Sequence, residues 1–312
     1  MYKKIKGFLF FLVGIVLFAV SATALAFQEE LASEHFKVSF TGDKNFAKEV
    51  LDKAEYYYRN IGDEFGYAKY SKFWSWNSRV KITIYPDHDS YIKGTNQPQW
   101  SDGVAFYDIK EIAGYNLNAE FTESILPHEI AHMIFLGYLG QANGKVPLWL
   151  YEGVAQWAEE LRRDKRRHIS TQLHKKGKML SIKDLMRINS AHFKRENRLF
   201  IRPAVTREGE DGVLFLDTEA LVDVFYIGSF SLVDFLIERY GAEMFSEFCR
   251  QLRDGKTAEE ALSFAYPSYI RNKEELAEGW RKYLEASIKD DSDMSEEYIT
   301  GILRSYRHGE EK

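Results

Sequence analysis

Residues 128–132 read His-Glu-Ile-Ala-His, and an acid, Glu152, follows inside the string VPLWLYEGVAQWAEE. No other feature limits the fold so tightly. If residues 128–132 are helical, positions i and i+4 share one face, so His128 and His132 can both reach a single cation. Glu129 is one position round from His128, close enough to act on a water in such a site without ligating the cation. Pro127 is compatible with a helix N-terminus if Ser124 is the N-cap, because a first-turn residue has no intrahelical N–H bond to lose.

A catalytic zinc site uses three protein ligands and keeps one position open. Glu152 is the candidate for the third. The intervening positions 133–151 are enough for one helix to end, a loop to turn at 137–145, and a second helix to start near Leu148. Trp149, Leu150, Val154 and Trp157 surround Glu152 with apolar side chains, and a carboxylate in such surroundings needs a partner, for which a metal is suited. Gly153, beside the acid, predicts a close backbone approach to the first helix, where a Cβ would collide. The plain alternative is a pair of core or surface histidines and a solvated acid.

The rest of the chain supplies a sheet followed by helices. His35–Phe40 alternates like a strand. Asn45–Phe65 places apolar residues three and four apart, as an amphipathic helix does, with Gly66 as its stop. Arg79–Tyr85, Val104–Tyr107 and Glu111–Asn118 read as further strands, with Asp87–Asp89 a loop and Asp108–Lys110 a polar turn. After Thr122 the pattern is helical: Ser124–Leu136, Leu148–Glu160, a short helix at Ser181–Ile188, then Thr218–Arg239, apolar nearly all round and therefore buried. A hairpin of Leu199–Val205 and Gly212–Leu216 interrupts this run, with the region 207–212 a candidate lid. Helices near 242–252, 258–265 and 273–286 close the body. This predicts an α+β fold at 33–288 and an acidic tail at 289–312.

Residues 1–26 are set aside as an export leader. Lys3, Lys4 and Lys6 precede an apolar run, and Ala24-Leu25-Ala26 offers a cleavage site. The segment 7–27 is also just long enough to span a bilayer, so a signal peptide and an uncleaved membrane anchor both remain open. Either places the body outside the cytoplasm, at the cell surface, in a periplasm or secreted. The formal charge is −5, and losing the three leader lysines takes it to −8, which argues against nucleic acid as a partner. One local exception is 162–178, rich in Lys and Arg, which could contact an anionic surface or be a solvated helix face. A single cysteine, Cys249, excludes an intramolecular disulfide framework and reads as a buried apolar residue. His168, His174 and His192 read as surface residues.

HEIAH followed by WLYEGVA resembles the gluzincin metallopeptidases, specifically the peptidase MA-like domains, and the WLxEGxA string is similar to that of the M1 aminopeptidases. The resemblance runs from about His35 to Leu284. It implies a zincin-like α+β fold, zinc as the cofactor with His128, His132 and Glu152 as ligands, and Glu129 as general base. It also implies a tyrosine opposite the metal that stabilises an oxyanion, for which Tyr226 is the matching position; the other reading of Tyr226 is a packed core tyrosine.

Three departures qualify the resemblance. Phe135 and Tyr138 occupy the places where a metzincin has Gly and a third His, which excludes that class. Thermolysin-like enzymes carry Asp four residues after the ligand Glu, orienting a histidine; here Gln156 stands there, so the histidine's support must come from elsewhere. The glutamate by which M1 aminopeptidases recognise a free amine is missing from the region IAGYNLN. The expectation is therefore an exported zinc endopeptidase acting on peptide or protein substrates, with the strand at 112–118 aligning an extended peptide. A catalytically weak zincin-fold scaffold and a zinc hydrolase of non-peptide amides are the alternatives.

Overall fold

The computed structural model describes residues 29–65, 78–99, 101–117, 119–140, 146–193, 199–205 and 211–287. The leader 1–26, the stop at Gly66, most of the candidate lid and the tail 289–312 lie outside these residues. The architecture is α+β, a small N-terminal sheet followed by a mostly helical remainder.

The sheet has five strands: β1 (Glu29–Ala32), β2 (Phe36–Phe40), β3 (Val80–Tyr85), β4 (Gly103–Phe106) and β5 (Glu111–Tyr115). Their spatial order is β1-β2-β3-β5-β4, so the sheet is mixed. Strands β2, β3 and β5 run parallel, and β1 and β4 pair antiparallel at the two edges. Strand β1 lies ahead of the expected start of the body at residue 33. The β2–β3 connection is a crossover through α1 (Lys44–Glu64), whose N-cap Asp43 accepts from the backbone N–H groups of Asn45 and Phe46, satisfying two donors that a helix start leaves unpaired. Val50, Ala54, Tyr57 and Ile61 of α1 are buried against the sheet side of the core, as the three-and-four spacing requires.

Two local expectations are overturned near the sheet. Residues 87–89 do not form a loop: Asp87 caps α2 (His88–Thr95) by accepting from the Ser90 N–H at 2.7 Å. An Asx residue followed by eight helical positions is an N-cap, and the short run hides its period. Strand β5 lies inside the sheet, paired on one side with β3 and on the other with β4. It therefore has no free backbone edge for a peptide, and the edge beside the cleft belongs to β4. The entry to β4 is fixed by Ser101, whose Oγ is 2.7 Å from the Tyr91 hydroxyl, and by Asp102, which accepts from the Tyr115 hydroxyl at 2.6 Å.

The helical part is α3 (Leu126–Leu139), α4 (Leu148–Ala158), α5 (Arg163–Lys175), α6 (Ile182–Arg187), α7 (Ser190–Phe193), α8 (Thr218–Tyr240), α9 (Ala242–Arg253), α10 (Ala258–Ala265) and α11 (Lys273–Ala286). Between α7 and α8, β6 (Phe200–Val205) and β7 (Asp211–Leu216) form the expected hairpin. Helix α8 is long and apolar enough to cross a membrane by length and composition. Here it is the central core helix, with Phe225, Phe230, Leu232, Val233 and Leu236 fully buried. It packs against α4, α5, α9 and α11.

Gly153 on α4 is the contact that brings α4 onto α8. A Cβ at that position would lie 2.5 Å from the Ser229 carbonyl oxygen and 2.7 Å from Val233 Cγ2. The close approach expected of this glycine is thus to α8 and not to the HEIAH helix. Positions 152 and 153 are 100° apart on the helix, so the residue next to an acid facing α3 must face a different neighbour.

The basic stretch 162–178 is drawn inward at its arginines. Arg162 pairs with Glu120, Arg163 with Glu64, Arg166 with Glu159, and Arg167 with Asp234 and Glu238. Cys249 is buried beside Phe245 and Phe248 on α9.

Candidate metal centre

Helix α3 carries the HEIAH string, but it does not start at a capped residue. A five-residue π-helical turn, Phe121–Ile125, runs straight into it, and the Leu126 N–H bonds to the Phe121 carbonyl. Ser124 is therefore not the N-cap; it is buried within the turn. The physical reason lies in Pro127, which has no N–H for an α-type bond to residue 123. A wider i→i+5 turn just before it keeps the helix continuous.

The freed Ser124 side chain has another task. Its hydroxyl donates to Glu159 at 2.6 Å. Glu159 is the residue that ends α4, with φ −78° and ψ 75°, so the chain leaves the helix there and turns the carboxylate back towards α3. The same carboxylate accepts from His128 Nδ1 at 2.9 Å and pairs with Arg166 at 2.8 Å. Glu159 is 2% exposed. Burial alone would raise its pKa, but Arg166 and then His128 hold it well below the ordinary carboxylate range.

His128 and His132 come together as their spacing requires. Their Nε2 atoms are 3.1 Å apart, and Glu152 Oε2 is 3.7 Å from each. One ligand atom from each of His128, His132 and Glu152 lies within 4.8 Å of the others. Two nitrogens bound to one tetrahedral zinc at about 2.0–2.1 Å would stand about 3.3 Å apart, so the triangle fits a cation of that size. Two neutral imidazoles and a carboxylate are also a donor set suited to zinc. His168, His174 and His192 take no part in this cluster.

Burial dominates the electrostatics of the cluster. Burial pushes the Glu152 carboxyl up to about 7, with the neighbouring Glu129 adding to the rise and His128 and the Tyr226 hydroxyl opposing it. Burial also raises Glu129, against the pull of His128 and a hydrogen bond from the Ala105 N–H. Burial lowers His132 well below its ordinary 6.5. For His128, burial is outweighed by the hydrogen bond and charge of Glu159, and its pKa rises. Three carboxyl groups, Glu129, Glu152 and Glu159, thus share one buried region with two imidazoles and Arg166, and a divalent cation between His128, His132 and Glu152 would favour the charged form of Glu152.

All these groups line one cleft of about 500 Å3. Gly103, Val104 and Ala105 of β4 line it, as do Asp223, Tyr226 and Ile227 from the N-terminal half of α8. Glu129 lies beside the β4 edge and Tyr226 beside Glu152, where its hydroxyl is hydrogen-bonded to that carboxylate. Burial and the charges of Glu152 and Glu129 raise the Tyr226 pKa well above 10, so the hydroxyl stays a donor. The structure therefore brings together all five residues singled out from the sequence. Among the described residues it adds Glu159, which sequence reasoning missed. A signal was present: Glu159 is seven residues after Glu152, two helical turns along the same face.

The chain matches no protein-family model, and no curated protein is significantly similar to it.

Proposed function

We propose that this chain is an exported, zinc-dependent metallopeptidase with a zincin-like fold of the gluzincin type, cutting within peptide chains. The observation that carries this reading is the convergence of His128, His132 and Glu152 in one cleft that Glu129 and Tyr226 also line.

His128, His132 and Glu152 would hold the ion. When bound, zinc supplies a lowered pKa for water in the site and polarises a carbonyl. Glu129, buried with a raised pKa, takes the proton of the attacking water and passes it to the leaving amine, so that one carboxyl serves as base and then acid. The Tyr226 hydroxyl, a donor at all ordinary pH values, hydrogen-bonds the oxyanion that forms at the scissile carbon. The outer edge of β4 offers main-chain groups to an extended peptide. Glu159 keeps the His128 ring turned so that Nε2, and not Nδ1, faces the ion.

This last contact also weighs against the scaffold alternative. A scaffold that has lost turnover would find support in Gln156, which stands where thermolysin-like enzymes carry the aspartate that orients a histidine. Glu159 performs that orientation from three residues further along.

The test is Glu129→Gln against the wild type on a peptide library, with zinc content measured on both. Retained zinc and hydrolysis slower by about 10²–10⁴-fold is the expected result. Equal hydrolysis by the two proteins would refute the assignment.

A further inference from the structure

The two histidines are held in place by different means. His128 gives its Nδ1 to Glu159 at 2.9 Å. His132 Nδ1 is buried and has no hydrogen-bond partner among the described residues. The group in contact with the His132 ring is Tyr151, stacked face to face with ring centroids 3.8 Å apart and planes inclined by 16°. His128 meets the same ring edge-on, with centroids 4.7 Å apart and planes at 86°.

We infer that Tyr151 is a positioning residue for His132, setting the plane of its imidazole by ring stacking where His128 is set by a hydrogen bond. The inference rests on the metal-centre reading above. The torsion that turns an imidazole plane is broad and roughly two-fold, so a ring without a partner at Nδ1 is not fixed by its own rotamer. A flat aromatic surface at 3.8 Å fixes it, because tilting the imidazole forfeits contact over the whole ring. Tyr151 immediately precedes Glu152 on α4. A single turn of helix thus delivers the third ligand and the plate on which the second ligand lies. In the WLxEGxA string Tyr151 stands at the open position x, so the family pattern does not demand it. The effect belongs to the ring and not to the hydroxyl, which predicts that phenylalanine can replace it.

The experiment measures zinc affinity by chelator competition, on the full chain, for wild type, Tyr151→Phe, Tyr151→Met and His132→Ala. Methionine fills similar space without a ring. The expected result is Phe within about two-fold of wild type and Met weaker by roughly ten-fold or more, as for the loss of an outer contact to a metal-bound histidine. The His132 ring-proton resonances of the metal-free protein give a second readout. They are shifted upfield by the stacked ring in wild type and Phe, and return towards ordinary positions in Met, even if Met folds less stably. Met binding zinc as tightly as wild type would overturn the inference, and so would Phe binding as weakly as Met. Wild type binding zinc no better than His132→Ala would instead overturn the metal centre itself.

Discussion

Glu159 accepts a hydrogen bond from His128 Nδ1 at 2.9 Å, although the two residues are 31 positions apart and neither helix alone could bring them together. The contact needs α4 to end at Ala158 and the chain to turn at Glu159. It also needs Ser124 and Arg166 to satisfy the rest of the carboxylate. A buried carboxylate with this many donors is charged, and a charged acceptor on Nδ1 makes the opposite nitrogen a better ligand.

On the proposed zinc reading, Glu159→Gln is therefore expected to weaken zinc binding by about 10–100-fold while leaving all three proposed ligands in place. Chelator competition reads this directly. The same change breaks the ion pair of Glu159 with Arg166, which is 4% exposed, and breaking a buried pair costs about 3–5 kcal/mol. Denaturant unfolding of the metal-free protein should show that loss. Unchanged zinc affinity would mean that His128 needs no such support.

Tyr226→Phe separates two tasks of one hydroxyl. If the hydroxyl stabilises the oxyanion, as proposed, kcat falls by about 10²–10³-fold, with zinc content and KM little changed. If its only task is the hydrogen bond to Glu152, zinc content falls and kcat per bound zinc does not. Steady-state kinetics with metal analysis on the same samples distinguishes these outcomes.

Gly153→Ala tests the packing that carries Glu152. The added methyl would meet the Ser229 carbonyl oxygen at 2.5 Å, a backbone atom with no freedom to move aside. The expected cost is about 1–3 kcal/mol of overpacking, read as a lower unfolding midpoint. A displaced α4 would also carry Glu152 out of position, so zinc affinity is expected to fall with stability.

Glu55 gives a pH-dependent prediction away from the candidate metal centre. Its carboxylate accepts from the Ser33 hydroxyl at 2.6 Å, and from the His35 N–H and Nδ1, each at 2.8 Å. Burial would raise its pKa, but these hydrogen bonds together hold it below 4.5. A carboxyl with a lowered folded pKa stabilises the protein above its unfolded value and loses that contribution as pH falls through the folded value. Glu55→Gln should thus cost about 1–3 kcal/mol at pH 7, and the difference from wild type should shrink as the pH is taken below 4.5. A difference that does not change with pH would show that the charge is not what matters.

Local spacing carried much of this protein. The i, i+4 histidines, the apolar setting of Glu152, the period of α1 and the all-round apolar face of α8 are properties of single segments, so they were legible along the chain. The α+β order, sheet first and helices second, followed from the same periodicities. What spacing could not reach were relationships between segments. The order of strands in the sheet made β4, and not β5, the edge beside the cleft, because hydrogen bonding across a sheet is decided by which strands meet. Ser124 is not the N-cap that its place before Pro127 suggests, because a π turn and a proline together leave no capping signature.

Only tertiary packing decided the supports of the site. Gly153 faces α8, Glu159 reaches His128, and Tyr151 lies flat on His132. Each is a contact between segments that sequence distance does not order, set by where helices cross and end. The amino-acid sequence by itself determined which residues could meet at one cation, because 3.6 residues per turn is a property of the backbone. Which neighbours hold those residues still depended on how α3, α4 and α8 pack, and that is a property of the whole core.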